Sequence, residues 1–149
     1  MSSGFAPRVG EVSPTEAWKL LETDRSARLI DVRTRAEWGY VGVPDLSEIG
    51  QTLICVEWAM FPEMSINPRF TEAVTEELGD ERPGSLLFIC RSGKRSLAAA
   101  RAMADHLASR GETARCLSVA EGFEGDLDPH GHRGCLNGWK FRGLAWRQS

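Results

Sequence analysis

One run of residues constrains the fold more than any other. Ser85-Leu86-Leu87-Phe88-Ile89 leads at once into Cys90-Arg91-Ser92-Gly93-Lys94-Arg95-Ser96, and an alanine-packed stretch then continues to Arg110 and Gly111. A short apolar run bounded by polar residues reads as a buried strand. Residues 96–110 read as a helix closed by the glycine. A buried strand feeding a helix through so short a loop belongs in a parallel sheet, because the helix must then carry the chain back across the sheet before the next strand. Other segments agree. Ser13-Pro14-Thr15-Glu16 is a capping box with proline at the first helical position, and the helix should run to about Thr23 with Ala17, Trp18, Leu20 and Leu21 as its apolar face. Residues 27–32 (ARLIDV), 51–57 (QTLICVE) and 114–119 read as further strands, and residues 70–78 as a helix ending near Gly79. Strands alternating with helices predict a parallel α/β sheet covered on both faces. Ligands of such sheets bind beyond the carboxyl ends of the strands, which singles out the segments from Asp31, Cys90 and Ala120 onward.

The chain has 149 residues, enough for one domain with a real core, and no repeat or linker divides it. Its net charge of -3 excludes a general attraction to nucleic acid or anionic membrane, so anion binding must be local. Its apolar runs are far shorter than the ~20 residues that span a bilayer. Residues 1–10 lack a cationic stretch followed by an apolar one, so no signal peptide is expected and the cytoplasm is the expected location. Of the four cysteines, none forms a Cys-x-x-Cys pair. Cys55 and Cys116, in apolar runs, are expected to be small core residues.

Cys90 has a different setting. The backbone N–H groups at a helix N-terminus lack intrahelical partners and, with the helix dipole, form an anion site. Gly93 permits the tight turn such a cradle needs. Arg91, Lys94 and Arg95 add positive charge in an otherwise acidic chain. All of this favours thiolate over thiol and predicts a nucleophile surrounded by donors for an oxyanion. Ser92 and Ser96 offer hydroxyl donors. Arg95, at the end of the loop, is free either to meet substrate or to make an ion pair beneath it. Asp31 ends a neighbouring strand, and Arg33 and Glu37 follow on an expected short helix; the three should form a charged network, with Asp31 and Arg33 shaping the loop from behind.

These residues resemble the rhodanese family. Cys90 matches the family's catalytic cysteine, and Cys90 to Arg95 its six-residue loop. Leu29-Ile30-Asp31-Val32-Arg33 with Glu37-Trp38 resembles the first signature, Glu121-Gly122-Phe123 the later glycine-rich turn, and Gly138-Trp139-Lys140-Phe141-Arg142-Gly143-Leu144 the closing helix. The resemblance spans the chain from about Val9. It implies a single rhodanese-like domain with a mainly parallel five-stranded sheet, and a sulfurtransferase without cofactor or metal. In the implied reaction Cys90 takes sulfane sulfur from a small anionic donor such as thiosulfate or a persulfide. A thiol, cyanide or an acceptor protein then removes it. Arg91 and Lys94 would steer the donor. A persulfide carrier with poor turnover is the nearest alternative. A Cys-based phosphatase or arsenate reductase is the more distant one, because those enzymes use Cys-x5-Arg and this loop is Cys-x4-Arg, a narrower ring.

Two features depart from the family pattern. Gly39-Tyr40-Val41-Gly42-Val43-Pro44 lacks the family's histidine, which alters the pocket wall. Residues 126–137 (DLDPHGHRGCLN) form an insertion leaving the catalytic edge of the sheet. It reads as a solvated loop, as a pocket wall in which His132, Arg133 or Cys135 meets substrate, or as a metal site of His130, His132 and Cys135 that lacks a fourth ligand. Cys135 could also resolve a Cys90 persulfide into a disulfide. Trp139, Phe141 and Trp146 are expected to close the core, with Lys140, Arg142 and Arg147 facing water rather than nucleic acid.

Overall fold

Buried apolar alternation lays out the sheet. In the computed structural model, which describes residues 8–148, the central strands are β1 (Val9–Val12), β2 (Arg28–Asp31), β4 (Ile54–Cys55), β7 (Ser85–Ile89) and β8 (Arg115–Val119), side by side in the order β1-β8-β7-β2-β4 and all parallel. The fold is thus α/β with a five-stranded parallel sheet, as the sequence predicts. Residues 1–7, most of the segment read above for a leader, lie outside the described residues.

Successive strand residues point to opposite faces, and the fully buried β7 serves both. Leu86 and Phe88 join Ile30, Phe70, Val74 and Met103 on one face. Leu87 and Ile89 join Leu29, Leu117, Ala17, Leu21 and Trp139 on the other. The first face is covered by α3 (Phe70–Leu78) and α4 (Lys94–Ser109). In α4 the buried stripe Ala99, Ala100, Met103, Ala104 and Leu107 is mostly alanine, which lets the helix lie close to the strands. The second face is covered by α1 (Pro14–Thr23). Its predicted capping box is present: Ser13 Oγ accepts the Glu16 N–H at 3.1 Å, and the Ser13 N–H reaches the Glu16 carboxylate at 2.8 Å.

Several elements differ from the sequence reading. The segment 51–57 pairs over two residues only, at the edge of the sheet. Ile54 faces the core, so period-2 alternation turns Cys55 outward. Cys55 is exposed, not a core residue, whereas Cys116 is buried and burial pushes its thiol up to about 12. The helix α4 starts at Lys94, not Ser96. The segment 138–144 is not a helix, because Gly138 and Gly143 adopt φ of 108° and 77° and allow only linked turns. The short helix expected after Asp31 is present as α2 (Arg35–Val41), opened by a capping box of Thr34 and Glu37, with Arg33 just ahead of it. Two pairings arise that no local pattern announces: β3 (Val43–Pro44) antiparallel with β9 (Trp146–Arg147), and β5 (Ala59–Met60) antiparallel with β6 (Ser65–Ile66). No helix among the described residues is long and apolar enough to cross a membrane.

Candidate active site

The end of β7 delivers Cys90 into a tight turn. Gly93 adopts φ 111°, which directs its N–H back at the cysteine, and α4 opens one residue later. Cys90 Sγ receives the Gly93 N–H at 3.1 Å and the Ser96 N–H at 3.3 Å. Ser96 Oγ lies 3.3 Å from Sγ and 2.8 Å from Ser118 Oγ, and Ser118 can donate onward to the Gly93 carbonyl at 3.4 Å. This chain has two proton arrangements. With a thiol, S–H donates to Ser96, Ser96 to Ser118, and Ser118 to Gly93. With a thiolate the direction reverses, and Ser118 donates to Ser96 and Ser96 to sulfur. Both oxygens are buried, so the pair is satisfied in either state.

A second turn pins the loop from outside. The Phe123 N–H donates to the Cys90 carbonyl at 2.8 Å, and the Glu124 and Gly125 N–H groups donate to the Arg91 carbonyl at 3.0 and 3.2 Å. These contacts hold the two carbonyls away from the sulfur. Gly122 makes the approach possible. Its φ is 70°, and a Cβ there would sit 2.5 Å from Arg91 backbone atoms and 2.6 Å from the Cys90 carbonyl oxygen.

The cations divide. Arg91 and Lys94 are exposed at the rim. Arg95 turns beneath the loop, where it makes a bidentate pair with Glu37 at 2.7 and 3.0 Å. Glu37 also caps α2 through Thr34. Desolvation opposes its charge, but Arg95 and the Thr34 N–H outweigh it and hold its carboxyl at about 2. The same pair raises Arg95.

The expected Asp31–Arg33–Glu37 network is two separate ones, because Glu37 is committed to Arg95. Asp31 and Arg33 form a fully buried bidentate pair, closest at 2.7 Å. Arg33 also donates to the Gly42 carbonyl at 2.7 Å and stacks over Phe123 at 4.3 Å. Asp31 spends both side-chain oxygens on Arg33, so its side chain makes no hydrogen bond of its own to the loop and acts on it through that arginine.

The sulfur itself is enclosed. Cys90 is 1% exposed, so its thiol is less accessible than its polar sequence setting predicts. In the 126–137 segment, Arg133 donates to the Gly125 carbonyl at 2.7 Å and so sits two hydrogen bonds from Arg91. His132 and Cys135 lie exposed further out, and the hydrogen bonds bring neither to the sulfur. Trp139 is buried as expected, but Phe141 and Trp146 are exposed. Lys140 does not face water freely: its Nζ lies 3.8 Å over the Trp146 ring and donates to the Val41 carbonyl. Sequence reasoning missed Ser118 and Phe123 as partners of the loop. A serine inside the apolar run Cys116-Leu117-Ser118-Val119 was the available signal, since a buried hydroxyl needs a partner.

A parallel five-stranded sheet with a cysteine loop between its central strand and the following helix defines the rhodanese-like and Cys-phosphatase-like class of folds. Within that class the chain belongs to the family that includes the RP600 homologues of Rickettsia and Rv0390 of M. tuberculosis. The homologue in Rickettsia rickettsii is 30% identical over 139 residues, covering 93% of this chain and 98% of the relative. RP600 of Rickettsia prowazekii, an uncharacterized protein, is 29% identical over the same length. The crystal structure of Rv0390 is 40% identical with a TM-score of 0.77, covering 94% of this chain and 98% of that one. The As–Sb reductase of Leishmania major matches with a TM-score of 0.51 at 19% identity, over 76% of this chain and 72% of that one, a likeness of fold alone. No protein-family model matches the chain.

Proposed function

We propose that the protein is a sulfurtransferase that carries sulfane sulfur on Cys90. The observation that carries this reading is the cradle around one sulfur atom: two backbone N–H groups and a reversible hydroxyl chain converge on Sγ within a Cys-x4-Arg loop. Cys90 thiolate attacks the outer sulfur of thiosulfate, a Cys–S–S⁻ persulfide forms, and the S–S bond of the donor breaks to release sulfite. Cyanide or a thiolate then takes the outer sulfur and returns Cys90 as thiolate. Arg91 and Lys94 meet the dianionic donor, and the amides of the loop and of the first turn of α4 stabilise charge on the terminal sulfur. Because Cys90 is enclosed, a donor reaches Sγ only when the groups covering it give way. Four unpaired cysteines suit a reducing cytoplasm.

A second reading, a Cys-based reductase or phosphatase, draws on the shared fold with the As–Sb reductase. The position of Arg95 disfavours it. Its guanidinium is held by Glu37 and is not free to clasp a tetrahedral oxyanion. Steady-state assays separate the readings. Thiocyanate formation from thiosulfate and cyanide, without hydrolysis of an aryl phosphate or reduction of arsenate, is the expected result. Sulfur loading without turnover identifies a carrier that serves a protein acceptor, and phosphate release or arsenate reduction without sulfur loading overturns the proposal.

A further inference from the structure

The 126–137 loop gathers three metal-ligating side chains of different kinds. The ligand atoms of Asp128, His132 and Cys135 lie within 4.8 Å of one another. We infer that these residues bind a zinc ion outside the Cys90 site, with an open fourth position.

Backbone bonds preset the cluster. The Asp128 N–H donates to the His132 carbonyl at 2.8 Å, and the Gly131 N–H to the Asp128 carbonyl at 3.0 Å. Asp128 Oδ1 accepts the N–H groups of His130 and His132, both at 2.9 Å. Asp126 and Asn137 close the neck of the loop with bonds of 2.8 and 3.0 Å. The turn thus uses one oxygen of Asp128 and leaves Oδ2 for a ligand. The His132 ring makes no hydrogen bond among the described residues, and Cys135 Sγ has only a 3.9 Å contact with the Arg133 carbonyl. Three polar groups converge here without satisfying one another.

The donor set selects the ion. A thiolate and an imidazole favour zinc over magnesium or calcium, which prefer oxygen. One carboxylate and one thiolate neutralise its two charges. Tetrahedral zinc with bonds of about 2.0–2.3 Å holds neighbouring ligand atoms about 3.5 Å apart, so pairs now within 4.8 Å need close by no more than roughly 1.3 Å. His132 and Cys135 are exposed and can make that movement. His130 stands just outside, with its ring centroid 6.5 Å from that of His132, so the fourth position is left to a water molecule. A histidine-and-cysteine count alone passes over Asp128, which is the residue that organises the turn.

The test uses the untagged full chain titrated with Co²⁺ and then Zn²⁺. One equivalent of Co²⁺ should give a thiolate-to-metal charge-transfer band that Zn²⁺ abolishes. The band should persist in Cys90→Ser and Cys55→Ser and vanish in Cys135→Ser and His132→Ala. Asp128→Asn, which keeps the amide-accepting oxygen but not the charge, should weaken binding without unfolding the loop. Zn²⁺ should also slow alkylation of Cys135 in the wild type and not in His132→Ala. No band, a band that survives Cys135→Ser, or a band lost with Cys90→Ser overturns the inference.

Discussion

The protein presents two cysteine-bearing loops, joined through the Gly122–Gly125 turn, and they handle their sulfur in opposite ways. The Cys90 loop buries its thiol under backbone donors, and its side chains point either outward, as Arg91 and Lys94 do, or beneath, as Arg95 does. The 126–137 loop exposes its thiol and surrounds it with side chains, while its backbone is occupied in holding the turn. Backbone amides cannot be retracted and suit a single anionic sulfur. Mobile side chains can close around a cation. On the two proposals, the sign of the ligand at each loop follows from which part of the chain faces the sulfur.

The largest expected effect separates the two thiols directly. Cys90→Ser should abolish thiocyanate formation, and Cys135→Ser should leave it within about twofold. Equal losses would mean that Cys135 takes part in transfer, contrary to the division drawn above. The next effect separates the turns. Gly122→Ala drives a Cβ into the Cys90 and Arg91 backbone and should cost more than ~2 kcal/mol, lowering both the denaturation midpoint and turnover. Gly131→Ala, also at positive φ but with nothing within reach of its Cβ, should cost about 1 kcal/mol and leave turnover unchanged. Similar losses at the two positions would show that strain, not the close approach to the loop, decides.

Glu37 offers a pH-dependent contrast. Its carboxyl titrates at about 2 in the folded chain against an ordinary 4.5, so it stabilises the fold fully above the ordinary value. That contribution is lost as pH falls from about 4.5 toward 2. Chemical denaturation of wild type and Glu37→Gln should differ above pH 4.5 and converge in stronger acid. A gap that stays constant across that range would remove the Arg95 pair as its source. The smallest effect belongs to Ser118→Ala, which shortens the hydroxyl chain and leaves Ser96 to serve the sulfur alone. It should slow turnover by an amount on the order of 1 kcal/mol in barrier without lowering sulfur occupancy, as read by kcat and intact mass.

What the sequence made legible follows the range of the interactions. The strand β7, the capped helix α1 and the Cys90 loop are each written in contiguous residues, and the loop was readable because its donors are its own backbone. The Arg95–Glu37 pair spans 58 residues and the Ser96–Ser118 bond 22, so no local pattern announced either one. The pairing of β3 with β9 was hidden for the same reason. The segment 138–144 misled because its aromatic and basic residues suit a helix while its glycines sit at backbone angles no helix uses. The pinning of the Cys90 loop by Phe123, Glu124 and Gly125 was not legible either, since these residues lie beyond α4 in sequence.

The central claim is that the Cys90 cradle holds a second sulfur atom, and mass spectrometry tests it most directly. Protein incubated with thiosulfate, freed of small molecules and digested without reductant should carry one additional sulfur on the peptide that contains Cys90, removable by cyanide. A Cys90 peptide of unchanged mass after that treatment, with the fold intact, would contradict the account.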